Sequence, residues 1–205
     1  MHDQEKDILI GTFELVQKIG IKGLTMDDVA KNFGISKKTL YKYVSNKPDL
    51  IDKSVKLMFT TISGLIYQAV EESENAIDEL LKIESVLSAR MKETMPAMIF
   101  QLKQSAPKTF KWLEAQKENL IVDLTKKNLT RGISEELYRK DFSVEIISQL
   151  YYARILTLTQ GDFFPDHCFN ASDVEYENTI YHIRGLASPT GLNYLEKTLE
   201  KQAHE

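Results

Sequence analysis

The sequence contains few of the residues that interrupt helices or cross-link small folds. It has nine glycines and five prolines in 205 residues, and this scarcity favours helices throughout. A single cysteine, Cys168, excludes an internal disulfide and fits a reducing compartment. The polar N-terminus does not resemble a signal peptide, and no stretch approaches 18 uninterrupted apolar residues. We therefore expect an all-α cytoplasmic protein that makes no contact with a membrane.

Signatures of catalysis are also missing. The sequence contains no glycine-rich phosphate loop and no nucleophile elbow. No paired spacing of metal-ligand residues recurs along the chain. We therefore expect no enzymatic activity, no cofactor and no metal site.

Apolar residues recur at helical spacing along the chain, and the pattern predicts nine to ten helices. We predict a small head at residues 1–47 and a larger helical body at residues 48–205, linked by a long helix over about residues 48–68. The first helix is expected over residues 4–19, with Gly20 able to end it. The remaining body helices are expected at residues 76–94, 97–105, 108–131, 142–160, 174–186 and 191–201.

The charge is unevenly distributed. The whole chain has a net charge of −4, yet its first 56 residues contain ten lysines and eight acidic residues. From residue 29 to residue 48 there are five lysines and no acid. A local basic stripe on an acidic protein is typical of a small DNA-binding head on a larger body. The same lysines could equally form a solvated surface, and charge alone does not decide between the two.

The most informative segment is residues 25–44, TMDDVAKNFGISKKTLYKYV. Thr25 is a candidate N-cap with Asp28 at the capping-box position, and Ser36 is a candidate N-cap for a second short helix. Gly34 lies where a turn between the helices needs positive φ. The segment therefore predicts a helix-turn-helix.

Polar side chains are expected on the outer surface of its second helix, where they could donate to phosphate oxygens and base edges. Lys47 follows at the start of the long helix, whose N-terminal N–H groups also attract phosphate. Tyr41 could instead be a core residue and Lys47 an ordinary surface lysine. The predicted DNA-binding residues are Thr25, Lys37, Lys38, Thr39, Tyr41, Lys42, Tyr43 and Lys47.

These elements, in this order over residues 8–51, resemble the DNA-binding region of the TetR family of repressors. By that resemblance, Thr25, Tyr41, Tyr43 and Lys47 match positions that contact the DNA backbone. Lys37, Lys38 and Thr39 match the start of the recognition helix, where bases are read. Val44 and Lys38 depart from the usual pattern. The resemblance implies a homodimer that places two recognition helices in successive major grooves, about 34 Å apart, on a near-palindromic operator.

The resemblance also implies that the body contains a small-molecule pocket and dimerises through its last two long helices. The predicted helix at residues 142–160 is apolar on more than one side, which requires burial in a core, in a partner or in both. Expected dimer residues are Ile147, Leu150, Tyr151, Leu158, Ile180 and Ile183. Core packing is the ordinary explanation for any single methionine or aromatic residue of the body, and an isolated polar residue could simply pair with a nearby acid. The expected pocket residues are Met91, Met95, Phe100, Phe110, Trp112, Tyr151 and Arg154.

The sequence therefore predicts a transcriptional regulator, most simply a repressor, that binds DNA as a homodimer and is released by a small-molecule effector. Two alternatives remain open at this point. The chain could be a constitutive DNA-binding protein without a ligand. It could also be an all-helical small-molecule binding protein that has lost DNA binding.

Overall fold

The structure is a computed structural model that describes residues 3–88, 95–159, 163–164 and 168–202, except for the side chains of residues 95–97, 159 and 202. Within these ranges the chain forms ten helices and no strand, which confirms the predicted all-α fold. The helices are α1 (Asp3–Gly23), α2 (Met26–Asn32), α3 (Lys37–Leu40), α4 (Lys47–Glu71), α5 (Ala76–Ser88), α6 (Met95–Ser105), α7 (Pro107–Ser134), α8 (Val144–Thr159), α9 (Ala171–Leu186) and α10 (Pro189–Gln202).

Two predicted helix boundaries differ from the structure for identifiable reasons. Helix α7 does not stop at residue 131 but continues through Gly132 to Ser134. Gly132 serves packing there, because a Cβ at this position would lie 2.2 Å from a ring carbon of Tyr138. Helix α9 begins three residues before the predicted start because the Asn170 side chain accepts a hydrogen bond from the Ser172 N–H. The end of the helix predicted at residues 76–94 lies outside the described residues.

The described residues form two compact units. The first contains residues 3–64 and 95–117, and the second contains residues 65–88 and those from 118 onward. The predicted division after residue 47 did not anticipate that α6 and the beginning of α7 would group with the N-terminal helices. The reason is that α6 packs against α1.

The core of the first unit is built from one stripe of each helix. In α1 the residues Ile8, Leu9, Phe13 and Val16 recur at helical spacing and are all buried. Each such side chain contributes about 1.5–3 kcal/mol when it leaves water. The residues that meet this stripe from the other helices are Val29, Ala30, Leu40, Leu50, Ile51, Val55, Met98 and Leu102.

The second unit contains a partly buried ion-pair network beside its apolar core. Arg131 of α7 donates to Glu79 of α5 at 3.0 Å and to Glu135 at 2.8 Å. Glu135 also accepts from the Ala76 N–H at 2.8 Å, which caps the start of α5. Burial raises the pKa of Glu79, and the hydrogen bonds from Asn128 and Arg131 oppose that shift. Apolar residues around this network form the core, among them Ile77, Leu129, Tyr138, Ile183 and Leu195.

Among the residues that the structure describes, no helix is both long enough and apolar enough to cross a bilayer.

Candidate nucleic-acid interface

Helices α2 and α3 form the predicted helix-turn-helix, and both predicted caps are present. The Thr25 hydroxyl accepts from the Asp28 N–H at 3.2 Å, and the Asp28 carboxylate accepts from the Thr25 N–H at 2.9 Å. These two bonds form the complete capping box. Hydrogen bonds from the Thr25 side chain and backbone hold the pKa of Asp28 below its usual value. The cap therefore remains ionised at neutral pH.

The turn between the two helices sets where α3 begins. Gly34 has φ 61°, which confirms the predicted need for a left-handed residue there. The Ile35 N–H donates back to the Ala30 carbonyl at 3.0 Å. Ser36 then caps α3, because its hydroxyl accepts from the Thr39 N–H at 3.0 Å. The geometry of this short helix is therefore fixed by local hydrogen bonds.

The outer surface of α3 and the turn after it is basic. Leu40 is fully buried, whereas Lys37, Lys38 and Lys42 are exposed. Tyr41 is 49% exposed, so it is a surface residue and not a core residue. Helix α3 therefore packs against the core through Leu40, and its exposed side chains present hydrogen-bond donors to the solvent.

Lys37 has a partner within the head. Its ammonium lies 2.7 Å from a carboxylate oxygen of Asp27, and both side chains are largely exposed. The hydrogen bond to Asp27 raises the pKa of Lys37. An exposed pair of this kind is weak, so a phosphate oxygen can replace the carboxylate at small cost.

Two other predicted residues are half-buried and tied down. The Thr39 hydroxyl lies 2.9 Å from that of Ser36. The Tyr43 hydroxyl donates to the Gln4 side-chain oxygen at 2.7 Å, which ties the turn to the start of α1. The Lys53 ammonium donates to the Tyr43 carbonyl at 2.7 Å. The contributions of Gln4 and Lys53 were missed, because nothing in the sequence connects them to residue 43.

Lys47 lies in the first turn of α4. The Asn46 side chain accepts from the Asp49 N–H at 3.0 Å, and Asp49 accepts from the Ser45 N–H at 2.7 Å, so Asn46 caps the start of α4. The Lys47 ammonium donates to the Lys22 carbonyl at 3.4 Å. This bond orients the Lys47 side chain toward the end of α1. Nothing in the sequence predicted the contact.

The predicted pocket residues that the structure describes are divided between the two units. Phe110 and Trp112 pack against the core of the first unit, where Trp112 meets Phe59 edge-to-face at 5.6 Å between ring centres. Phe100 is 61% exposed. Met91 lies outside the described residues, and the Met95 side chain is not described.

Tyr151 and Arg154 lie in the second unit. The Arg154 guanidinium sits over the rings of Tyr151 and Tyr181, at 5.5 and 5.4 Å from their centres. It also donates to the Asn178 carbonyl at 3.3 Å. Tyr151 also lies in the wall of a cavity.

This cavity lies between α5, α7 and α8 and has a volume of about 90 Å³. Its wall is mainly apolar, with Leu80, Leu124 and Tyr151 among its residues. An adjoining cavity shares Tyr151 and adds two acidic side chains, Glu84 and Glu175. Burial, and then the charge of Glu84, raise the pKa of Glu175 to about 7. Sequence patterns could not identify these acids, because α5 and α9 are distant in the chain.

The predicted dimer residues divide into buried and exposed ones. Ile180 and Ile183 are 3% and 0% exposed because they pack within the second unit's own core, so they offer almost no surface to a partner. Leu150 is 58% exposed. Ile147, Tyr151 and Leu158 are half-buried.

The exposed positions of α8 and α9 include four large apolar side chains. Ile146 and Leu150 of α8 are 62% and 58% exposed, and Tyr176 and Tyr181 of α9 are 38% and 71% exposed. Helix α8 has apolar residues on all sides. Its sequence therefore does not indicate which of them are buried and which are exposed.

Comparison with known proteins gives matches to the N-terminal region and to the fold. Residues 8–53 match the family model of bacterial regulatory proteins, tetR family. The biofilm operon icaADBC HTH-type negative transcriptional regulator IcaR of Staphylococcus aureus (strain Newman) is 32% identical over 73 residues, which are 36% of this chain and 39% of that protein. The HTH-type transcriptional regulator YvaF of Bacillus subtilis (strain 168) is 30% identical over 101 residues, 49% of this chain and 53% of that protein. The chain thus spans about half or less of the length of these relatives.

Solved structures match over nearly the whole chain. A TetR transcription regulator from Haloarcula marismortui superposes with a TM-score of 0.77 at 16% identity, covering 92% of this chain and 100% of that one. The transcriptional regulator FadR from Bacillus subtilis, solved in complex with stearoyl-CoA, gives a TM-score of 0.64 at 17% identity, covering 90% and 99%. At these identities the likeness demonstrates the fold alone.

Proposed function

We propose that this chain is a transcriptional repressor of the TetR family, which binds operator DNA as a homodimer and is released by a small-molecule effector. The observation that carries the proposal is the basic outer surface of the helix-turn-helix. Three lysines, Lys37, Lys38 and Lys42, are exposed around one helix whose start is fixed by caps and a tight turn. A rigid helix with exposed donors is what major-groove recognition requires.

Within this proposal the residues have distinct roles. Lys37, Lys38 and Thr39 are at the N-terminal end of α3, which is the part of a recognition helix that meets base edges. Thr25, Tyr41, Tyr43 and Lys47 flank that end and are assigned to the phosphate backbone.

The homodimer is proposed from the exposed apolar side chains of α8 and α9. Large apolar side chains grouped on a surface mark sites of association. A near-palindromic operator also needs two heads related by a two-fold axis.

The effector site is proposed to be the cavity between α5, α7 and α8. Its mainly apolar wall with a few polar groups at one side has the usual composition of a small-molecule site. This cavity favours an effector-responsive regulator over the constitutive DNA-binding protein that the sequence left open. The effector would then weaken operator binding by the same factor by which operator DNA weakens effector binding, since coupling between two sites is reciprocal.

A binding experiment over a range of salt concentrations tests the proposal. We expect the purified protein to bind the DNA upstream of its own gene, with log K falling linearly as log salt rises. Lys47→Ala should weaken binding to every sequence alike and reduce the salt slope by about 1. Lys38→Ala serves as the comparison, because a base-reading residue should alter sequence preference.

Two results would count against the proposal. Affinity that does not depend on salt would exclude the basic surface as the DNA contact. Failure to select any sequence from random DNA would favour a small-molecule binding protein without DNA binding.

A further inference from the structure

The end of α1 contains a backbone donor that its own helix leaves without an acceptor. Gly20 has φ 76° and ψ 160°, so the helical ladder breaks there. A new turn follows, in which the Gly20 carbonyl accepts from the Leu24 N–H at 3.2 Å. The Ile21 N–H is therefore the first donor of a helical turn and has no acceptor within it. Because Ile21 is buried, this N–H needs an acceptor from elsewhere in the protein.

Gln101 of α6 supplies that acceptor. Its side-chain oxygen lies 2.7 Å from the Ile21 nitrogen, across 80 positions of sequence. The same oxygen would lie 2.7 Å from a Cβ at position 20, so the glycine also makes room for it. One turn further along α6, the Gln104 side chain accepts from the Lys22 ammonium at 3.3 Å on the exposed surface. Gln101 therefore acts as an N-cap provided by another helix.

The capped turn leads directly to the DNA-binding surface. Lys22 follows Ile21, and its carbonyl accepts from the Lys47 ammonium at 3.4 Å. An ammonium has three donors, so this bond leaves two for a phosphate. A flexible lysine with one donor directed by the backbone samples fewer orientations than one without such a contact.

We propose that Gln101 is a positioning residue for DNA binding: it fixes the peptide between Gly20 and Ile21, which begins the turn whose third peptide, between Lys22 and Gly23, contains the carbonyl that orients Lys47. The proposal rests on the proposed function, because it requires Lys47 to contact the DNA backbone. Gln101 itself makes no contact with DNA. The position of α6 consequently sets how well the Lys47 contact forms.

The test compares matched glutamine variants on operator DNA. Gln101→Leu removes the acceptor at similar size, and Gln101→Glu keeps an acceptor oxygen. Gln104→Leu and Gln104→Glu make the same changes on α6 at a residue that does not contact the Ile21 N–H. We expect Gln101→Leu to weaken binding about fivefold to tenfold and to reduce the salt slope by up to about 1. The other three variants should bind DNA with affinities within about threefold of that of the unchanged protein, and Gln101→Glu and Gln104→Glu should bind equally well.

A double-mutant cycle with Lys47→Ala separates positioning from general loosening of the head. If Gln101 acts through Lys47, Gln101→Leu should change the affinity of the Lys47→Ala protein by less than about twofold. If the loss of affinity in the double variant instead equals the product of the losses in the two single variants, the proposal is wrong. Thermal unfolding of each variant, measured alongside, identifies any that fail to fold.

Amide hydrogen exchange without DNA tests the capping bond by itself. Protection of the Ile21 N–H should be lost in Gln101→Leu and kept in Gln101→Glu. Lost protection with unchanged DNA affinity would overturn the positioning role and leave DNA binding intact. If the unchanged protein binds no DNA, the proposed function fails and the role of Gln101 fails with it, even where the capping bond is present.

Discussion

Glu175 is an acid in an environment that favours its neutral form. It lies on α9 in the wall of the cavity that also contains Glu84. Burial is the larger cause of the raised pKa, about 7, and the negative charge of Glu84 is the second. An acid whose folded pKa exceeds its unfolded value takes up a proton on folding between those two values. It therefore lowers stability as the pH rises through this window.

Glu175→Gln should accordingly stabilise the protein at pH 8 and leave it almost unchanged at pH 4. The window runs from the ordinary value of 4.5 to about 7. Since the group is only partly buried, we expect a gain of about 1–2 kcal/mol after screening by solvent, less than the shift alone would give. Urea unfolding at a series of pH values measures it. Glu177→Gln, an exposed acid on the same helix, is the control, and an equal effect there would show that burial is not the cause.

Single residues of the head illustrate what local chemistry reveals. The capping box of Thr25 and Asp28, the cap at Ser36 and the left-handed Gly34 were all predicted, because each depends on residues within four positions of one another. The contact from Gln4 to Tyr43 joins residues 39 positions apart and was not predicted. Local hydrogen bonding can be inferred from spacing, whereas a partner from another helix cannot.

At the scale of the element, α1 shows how a glycine divides one helix into two functional parts. Residues before Gly20 supply the apolar stripe of the core, and the turn after it supplies the Lys22 carbonyl. The sequence predicted that the helix could end at Gly20. In the structure the chain breaks there and then completes one more turn, which α6 caps through Gln101.

Gly20→Ala should destabilise the first unit. The conformation at φ 76° and ψ 160° is one that residues with a Cβ rarely adopt, and an added Cβ would also displace the Gln101 side chain. The expected loss is about 1–3 kcal/mol. Gly64→Ala is the matched control within α4, because no atom lies within 4 Å of its added Cβ and φ is not positive. That change should stabilise by about 0.5–1 kcal/mol. Chemical denaturation measures the free energy of unfolding of both variants. A loss of stability in Gly64→Ala as large as that in Gly20→Ala would rule out backbone strain as the explanation.

At the scale of the whole molecule, the proposed repressor depends on two copies of the chain. The apolar residues that α8 and α9 leave exposed are the surface available for pairing. Ile180 and Ile183 belong to the protomer's own core instead, since they lie on the inward stripe of α9. A partner must therefore be met by the opposite side of that helix.

Leu150→Asp and Tyr181→Asp should each weaken self-association. A charge placed in an apolar contact between copies is desolvated without a partner, and we expect the dissociation constant to rise at least about tenfold. Sedimentation velocity over a range of protein concentrations measures the change. Phe100→Asp removes an equally exposed apolar residue from the first unit and should leave self-association unchanged. If the two α8 and α9 variants associate as the unchanged protein does, the proposed dimer surface is wrong.

The sequence by itself determined the helical class, the order of the elements and the helix-turn-helix with its caps, because periodicity and hydrogen bonding over a few residues act within one segment. It also located the lysines of α3 on an outer surface, since burial of Leu40 fixes the rotation of that helix. Only the tertiary structure decided that α6 groups with the head, that Gln101 caps Ile21 and that Tyr151 shares a cavity wall with Glu175. Those facts depend on which helix faces meet across 20 to 80 positions of chain, and packing complementarity at that range leaves no periodic signal in the sequence.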